Sequence, residues 1–414
     1  MKLDRMLATL LLGLAAAGGC RAGEALVVAT YPNLDRVVRL VEPVWRQRHP
    51  DVPIKLVARS YADHHTAMTT ALAAGSGLPD LMAIEVSYVA RFAASGALTD
   101  LNAPPFSAER WRDDYPRYAW AQASSGKRLA ALPVDIGPGT LFYRQDLLAA
   151  AGVKDDALSR SWESYLDAGR KLKARSVYLM AHARDLKDLY LRANLKDGEG
   201  VYFDGAGKPQ VRSPRFEKAF ELALTARKAG LDARLGAYST AWGDAIRKGR
   251  IATQASGSWM AGHLETWLAP QTRGLWRVTA MPAGAHATWG GSFYAIPQAS
   301  KQKALAWELL QLLAHDRDTQ LAALKNKEVN AFPALIAAQD DPLFASPVEF
   351  LGGQRAWLLW RASANAVPAL AANRNDALAE EIVNNELDAV LLQGKSIATA
   401  LADAERQIVR RARR

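Results

Sequence analysis

The sequence predicts an α/β protein of two domains, with parallel strands covered by helices on both faces. Three observations carry this. Short apolar runs alternate with amphipathic stretches through the first hundred residues, the pattern of strand, helix, strand. The chain has 414 residues, more than one hydrophobic core organises. Half of them are apolar and 23% charged, the balance of a folded globular chain.

The first segment is a targeting signal. Lys2 and Arg5 make a positive start, and the apolar run over residues 6–19 is too short to span a bilayer but suits a secretion signal. It ends in Ala17-Gly18-Gly19-Cys20, which resembles a bacterial lipoprotein cleavage box, although Leu is more usual where Ala17 stands. The alternative is an incidental cysteine inside a signal cleaved slightly later, after Ala22. Residues 1–20 are therefore assigned to the signal, and Cys20 to lipid attachment. Cys20 is also the single cysteine, which excludes an intramolecular disulfide, a CxxC pair and a cysteine-based zinc site. No later segment approaches eighteen uninterrupted apolar residues, so the mature chain is expected to be soluble apart from any lipid.

The mature chain opens with a buried strand at 25–30, then Tyr31-Pro32-Asn33 and a helix patterned by Leu34, Val37, Val38, Val41 and Trp45, which Pro43 is expected to kink. A strand at 52–57 leads to a helix over 61–74, stopped by Gly75-Ser76-Gly77. A third strand at 80–84 and a helix through Arg91 follow, ending at Ser95-Gly96. The pattern breaks at 129–143, where two short extended runs flank Asp135-Ile136-Gly137-Pro138-Gly139, the kind of segment by which a chain passes between lobes. Helices follow Ser161 and Ser213-Pro214, the second closed by Gly230. Strands return at 251–254, 278–281 and 293–297, and the last hundred residues are helices with caps such as Ser346-Pro347 and Ser396.

The formal charge is +10, but the basic residues are dispersed, which argues against nucleic acid as a partner. Arg410, Arg411, Arg413 and Arg414 cluster at a helix end, where cations complement the dipole. Catalytic signatures fail on counting. Gly394-Lys395-Ser396 lacks the earlier glycine of a phosphate loop, Gly75-Ser76-Gly77 lacks the third glycine of a dinucleotide fingerprint, and HExxH and GxSxG are absent. His64 and His65 diverge by about 100° on a helix, cannot share a metal as an i, i+4 pair does, and are expected to be solvated. Asp80, Glu85 and Asp135 near strand ends are the candidates for an acid and base pair in a carbohydrate-active enzyme.

Twelve tryptophans offer a different chemistry. Trp45, Trp162 and Trp307 sit in apolar stripes and are expected in the core, and helical spacing gives Trp357 and Trp360 the same reading. Trp242, Trp259 and Trp289 instead stand beside glycine or small polar residues at element ends. Flat aromatic faces there suit a sugar, whose C–H faces stack on rings while its hydroxyls bond to carboxylates, amides and guanidinium groups.

Ordered landmarks carry a resemblance over almost the whole mature chain. They are Gly77-Leu78-Pro79-Asp80 with Ser95-Gly96-Ala97-Leu98-Thr99-Asp100-Leu101, Leu132-Pro133-Val134-Asp135 with Leu141-Phe142-Tyr143-Arg144-Gln145-Asp146-Leu147, and Ser161-Trp162-Glu163. Gly249-Arg250-Ile251-Ala252 with Gly257-Ser258-Trp259, Gly290-Gly291-Ser292 with Ala295-Ile296-Pro297, Phe350-Leu351-Gly352-Gly353-Gln354 and Gly394-Lys395-Ser396 complete the series. In this order they resemble the extracellular solute-binding proteins of bacterial ABC importers, in the sugar-binding group that includes maltose-binding protein.

The resemblance implies the two-lobed periplasmic-binding-protein fold of type II, with lobes joined by crossing hinge segments near 135–139, 287–292 and 329–333. Residues 21–134 with 292–330 would form the N-terminal lobe, and 138–288 with 334–414 the C-terminal lobe. It implies a sugar or oligosaccharide held in the cleft between them, with Glu85, Ser87, Tyr88, Asp135 and Trp259 carried over by position; Tyr31, Trp242, Trp289 and Gln354 complete the expected ligand-binding set. Ile84 stands where maltose-binding protein has an aromatic residue and Gly137 where it has an acidic contact. The implied protein is a periplasmic monomer without cofactor, metal or catalytic activity, docking on permease subunits driven by a cytoplasmic ATPase. A receptor for another solute, such as a polyamine, a phosphorylated polyol or an iron complex, is the alternative in the same fold, although no adjacent tyrosine pair speaks for iron. The carbohydrate-active enzyme is the alternative outside it.

Overall fold

A computed structural model describes residues 24–412 of the chain. The signal segment, Cys20, Arg413 and Arg414 lie outside the described residues. The chain begins β1 (Leu26–Thr30), α1 (Leu34–Arg48), β2 (Ile54–Ala58), α2 (Tyr61–Ala74), β3 (Leu81–Glu85) and α3 (Val86–Ala94). Periodicity anticipates each of these within about two residues. The five apolar positions expected of α1 are all buried, and the helix continues through Pro43, which sits on its exposed face. Ser60 caps α2 by accepting from the Asp63 N–H at 3.2 Å.

Next come α4 (Arg117–Ala123), a small hairpin of β4 (Ser124–Ser125) and β5 (Arg128–Leu129), and β6 (Leu132–Arg144). β6 is one continuous strand where two short runs were expected. Gly137, Pro138 and Gly139 do not break it, because register shifts at Pro133/Asp135 and Ile136/Pro138 absorb the irregular residues. The glycines are needed for close approach: a Cβ on Gly137 would lie 1.9 Å from the Trp289 carbonyl oxygen.

After β6 the chain forms α5 (Gln145–Ala150), α6 (Trp162–Lys173), α7 (Ala183–Ala193), α8 (Pro214–Lys228), α9 (Thr240–Arg247), β7 (Thr253–Gly257), α10 (Met260–His263), β8 (Trp276–Thr279) and β9 (Thr288–Ala295). Ser161 opens α6 with a capping box, whereas the Ser213 hydroxyl makes no cap bond to α8. The end of the chain is helical: α11 (Lys303–Ala314), α12 (Arg317–Lys325), α13 (Ile336–Gln339), α14 (Ala356–Ala366), α15 (Asp376–Gln393) and α16 (Ile397–Ala412). Ser396 caps α16 by accepting from the Thr399 N–H at 3.1 Å. Ser346-Pro347 does not start a helix; Ser346 closes the 3-10 turn Pro342–Ala345.

The strands make a seven-stranded sheet in the order β2-β1-β3-β9-β6-β7, with β8 also paired to β6. β1 is parallel to β2 and β3, as expected. β9, however, enters antiparallel to both β3 and β6, so the sheet is mixed and not parallel throughout. The reason is connectivity: β9 arrives from late in the chain without the helical crossover that imposes parallel pairing on β1 to β3. β6 pairs with β9 along Leu132 to Pro138 and with β7 and β8 from Gly139 onward, so it passes through two strand environments.

Three apolar clusters fill the molecule. One gathers β1, β3, α1 and α11, with Trp45, Leu81 and Leu310 buried, and continues to Trp242, Trp276 and Trp360. A second packs the end of β6 against α6 and α7 through Leu141, Leu166 and Leu186. A third joins α8, α15 and α16 through Phe216, Phe220, Leu387 and Ile408. No helix among the described residues is long and apolar enough to cross a membrane.

Candidate functional site

A cavity of about 790 Å³ opens where the C-terminal ends of β1 and β3 face the middle of β6 and β9. Strands end here with free peptide groups and short turns, which makes such an edge the usual binding crevice of an open α/β sheet. Tyr31 follows β1 directly, is 7% exposed, and packs edge-on to Tyr61 with ring centroids 5.6 Å apart. Asn33 takes φ 79 to turn the chain into α1.

Glu85 ends β3 and caps α3. Its carboxylate accepts from the Ser87 N–H at 2.9 Å, from the Ser87 hydroxyl, and from the Tyr61 hydroxyl at 3.1 Å. Burial pushes the Glu85 carboxyl above the usual carboxylate range in spite of those donors. Behind it stand His64 and His65, which are buried and not solvated as expected. The reason is that polar partners are at hand inside. His64 Nε2 pairs with the Ala83 carbonyl at 2.8 Å, and His65 Nε2 accepts from the Glu85 N–H at 3.1 Å. His65 Nδ1–H then donates to the Tyr61 carbonyl at 2.8 Å, which fixes the neutral tautomer. Burial lowers the His65 pKa to about 4, so this support carries no charge at neutral pH. Tyr88 stacks on His65 at 4.1 Å between centroids.

The floor is the crossing of β6 and β9, where Asp135 lies opposite Ser292. Burial pushes the Asp135 carboxyl up to about 6, while hydrogen bonding from Ser292 acts the other way and the nearby Glu85 adds to the rise. Opposite stands an aromatic wall. Trp259 Nε1–H donates to the Trp289 carbonyl at 2.9 Å, fixing the indole plane. The fit requires glycine, since a Cβ on Gly257 would lie 2.5 Å from Trp259 Nε1. The Arg192 guanidinium lies 5.2 Å over the Trp289 ring, in reach of cation–π attraction. Tyr202, Tyr238, Asp376 and Glu380 complete this side, and burial pushes the Asp376 carboxyl up to about 7.

Of the expected ligand-binding residues, Tyr31, Glu85, Ser87, Asp135, Trp259 and Trp289 line this one cavity. Trp242, Tyr88 and Gln354 do not. Trp242 is 1% exposed in the core, its Nε1–H bonded to Gln254 Oε1 at 3.2 Å. Gln354 is used by the fold, accepting from the Val278 N–H at 2.8 Å and donating to the Val278 carbonyl at 2.7 Å. Trp360 is core as expected, its Nε1–H donating to the Thr140 hydroxyl at 2.9 Å. Asp80 also leaves the list of candidate acids and bases, since its carboxylate accepts from the Val27 N–H at 3.0 Å and from the Ser300 hydroxyl at 2.7 Å. Sequence reasoning missed Arg192, Tyr202, Tyr238, Asp376 and Glu380. Arg192 and Asp376 sit at helix ends, Tyr202 and Tyr238 between elements and Glu380 within α15, with no local pattern to mark them. No group of three or more His, Cys, Asp or Glu side chains arranged to hold a metal occurs among the described residues.

Comparison with known proteins gives a consistent result. Residues 46–351 match the family described as bacterial extracellular solute-binding protein. The chain is 28% identical over 356 residues to the lactose-binding protein of Rhizobium radiobacter, covering 81% of each chain. It is 24% identical over 276 residues to the arabinooligosaccharide-binding protein of Bacillus subtilis (strain 168), covering 64% of this chain and 63% of that one. Among solved structures it superposes on an extracellular solute-binding protein of family 1 with a TM-score of 0.81 and 25% identity, over 94% of this chain and 99% of the other.

Proposed function

Because the chain belongs to the bacterial extracellular solute-binding protein family, we propose that its cleft captures a neutral sugar or oligosaccharide and delivers it to an ABC importer. One observation carries this: two indole faces, Trp259 and Trp289, share a single cavity with the carboxyls of Glu85 and Asp135 and the guanidinium of Arg192. The rings stack on sugar C–H faces, and the polar groups bond to hydroxyls. The cavity size falls within the range of about 300–1,000 Å³ that small ligands occupy. The sugar-binding relatives support the same class of ligand.

Residues 21–134 with 292–330 form one lobe in this proposal and 138–288 with 334–414 the other, joined near 135–139, 287–292 and 329–333. Continuity of β6 and the bridge between Asp135 and Pro333 favour these crossings. Tyr31, Glu85 and Ser87 then belong to the first lobe, and Arg192, Trp259 and Asp376 to the second. A solute touching both sets favours closure by its differential affinity, about 5.5 kcal/mol to invert a 99:1 open population. Stacking and several hydrogen bonds of about 1 kcal/mol each supply this order of energy. The closed, loaded monomer docks on permease subunits coupled to a cytoplasmic ATPase, needs no cofactor and turns nothing over. It works in the periplasm, tethered through lipid on Cys20.

A second reading, a cationic solute such as a polyamine, is favoured by the excess of carboxyls, with Glu85, Asp135, Asp376 and Glu380 facing one Arg192. Burial holds Asp376 near half-protonation at neutral pH and pushes the Asp135 and Glu85 carboxyls upward, which reduces that excess and favours a neutral polyhydroxyl ligand. A tryptophan-fluorescence and thermal-shift screen of the mature chain decides between them, using galacto- and arabino-oligosaccharides, polyamines and polyol phosphates. A shift with sugars is expected; a shift with another class and none with sugars refutes the assignment.

A further inference from the structure

Beside the cleft lies a second cavity of about 260 Å³. The two share Trp259, His263, Asn33, Val329 and Asn330, so they are separated by side chains and not by backbone layers. The shared aromatics belong to a ladder. Trp259 and His263 have ring centroids 5.0 Å apart, and His263 and Trp267 5.4 Å. The spacing of four residues puts three rings on one side of α10 and of the π-helical turn Leu264–Leu268 that continues it. π-helical turns are frequent at functional sites. The ladder starts inside the cleft at Trp259 and ends at Trp267, which lines only the outer cavity and is 54% exposed.

Around the outer rings the lining is polar. Asn33 and Asn330 both hold left-handed backbone, with φ 79 and φ 45, a conformation that costs free energy outside glycine and collects at binding sites. Of its lining residues, Arg36 and Glu328 pair with each other and Lys327 pairs with Glu265. Burial lowers the His263 pKa. An exposed tryptophan rising from a polar, hydrogen-bonding pocket that opens from the cleft fits the next ring of a saccharide. The outer cavity is smaller than an independent small-ligand site, so its occupant is an extension of the molecule held in the cleft.

We propose that Trp267, with His263 and the Asn33–Asn330 rim, is an outer subsite that stacks an additional sugar ring, so that the receptor selects oligosaccharides over the shortest ligand that fills the cleft. The inference rests on the sugar reading of the cleft. Calorimetric titration of the mature chain tests it with galacto- and arabino-oligosaccharide series of two to five rings, on the wild type, Trp267→Ala and Trp267→Phe. Trp267 is exposed, so its replacement leaves the fold intact. Affinity is expected to rise with length by about 2- to 10-fold once the outer subsite fills, from one stacking contact. Trp267→Ala removes that gain and leaves the shortest ligand unchanged, and Trp267→Phe restores most of it. A flat affinity series overturns the subsite. So does a Trp267→Ala protein that binds every length like the wild type, as it would if Trp267 met a membrane subunit instead. Binding of no saccharide at any length, with another solute bound, overturns the sugar reading and is told apart by that binding.

Discussion

Trp259→Ala gives the most direct test of the cleft. The indole presents a face to the cavity, and its N–H holds the Trp289 carbonyl at 2.9 Å, so one substitution removes both a stacking surface and a brace. Covering one indole face withdraws on the order of 60 Å² of apolar surface from water, about 1.5 kcal/mol at about 25 cal/mol per Å². Losing the brace frees the Trp289-Gly290 peptide, for about 0.5–1.5 kcal/mol more. Together these raise Kd by about 30- to 150-fold. Trp259→Phe keeps an apolar face and loses only the donor, so its Kd rises by about 3- to 10-fold. The assay is calorimetric titration with the sugar found in the screen, beside far-UV circular dichroism to establish that each variant is folded. A folded Trp259→Ala protein whose Kd stays within about twofold of wild type refutes the stacking role.

Asp135→Asn tests the buried carboxyl. A folded pKa of about 6 against an unfolded value near 3.8 means that the wild-type folded state holds its proton longer, so this group's contribution is full below about pH 4 and is lost as pH rises through 6. The variant is therefore expected to gain on the wild type by on the order of 2 kcal/mol between pH 4 and 7.5, measured as the difference of their melting curves; a pH-independent difference refutes the shift. Gly137→Ala places a Cβ 1.9 Å from the Trp289 carbonyl and is expected to destabilise by more than about 3 kcal/mol in chemical denaturation, whereas an unchanged midpoint refutes the close crossing of β6 and β9. Arg117–Asp197 and Lys327–Glu265 are exposed pairs joining the two proposed lobes at 2.8 and 3.4 Å, so Arg117→Ala with Lys327→Ala is expected to weaken binding by less than about fivefold at low salt and not at high salt, by titration in both. Cys20→Ser is expected to move the protein from the membrane pellet to the soluble fraction; equal distribution of both proteins refutes the tether.

Much of the fold is legible in local sequence. Leu34, Val37, Val38, Val41 and Trp45 recur at helical spacing, and a 15-residue helix buries all five. Side-chain direction repeats every 3.6 or 2 residues whatever the surroundings, so such stripes reveal elements. The direction of β9 was not legible. Its residues read as a strand, but antiparallel insertion between β3 and β6 depends on partners 150 to 213 positions earlier.

The site shows the same division more sharply. Trp242 and Trp259 carry the same local signal, an indole beside small residues at an element end. One is sealed in the core on Gln254 and the other lines the cleft. His64 and His65 read as solvated and prove to be buried, His64 on the Ala83 carbonyl and His65 as the neutral backing of Glu85. By itself the sequence determined the order of strands and helices and the aromatic and acidic residue types available to a binding cleft. Only the tertiary structure decided which of those residues meet, that Arg192 and Asp376 join them, and how far burial moves Asp135. Capping and periodicity act over a few residues along the chain, whereas burial, electrostatic fields and the walls of a cavity are set by groups distant in sequence and adjacent in space.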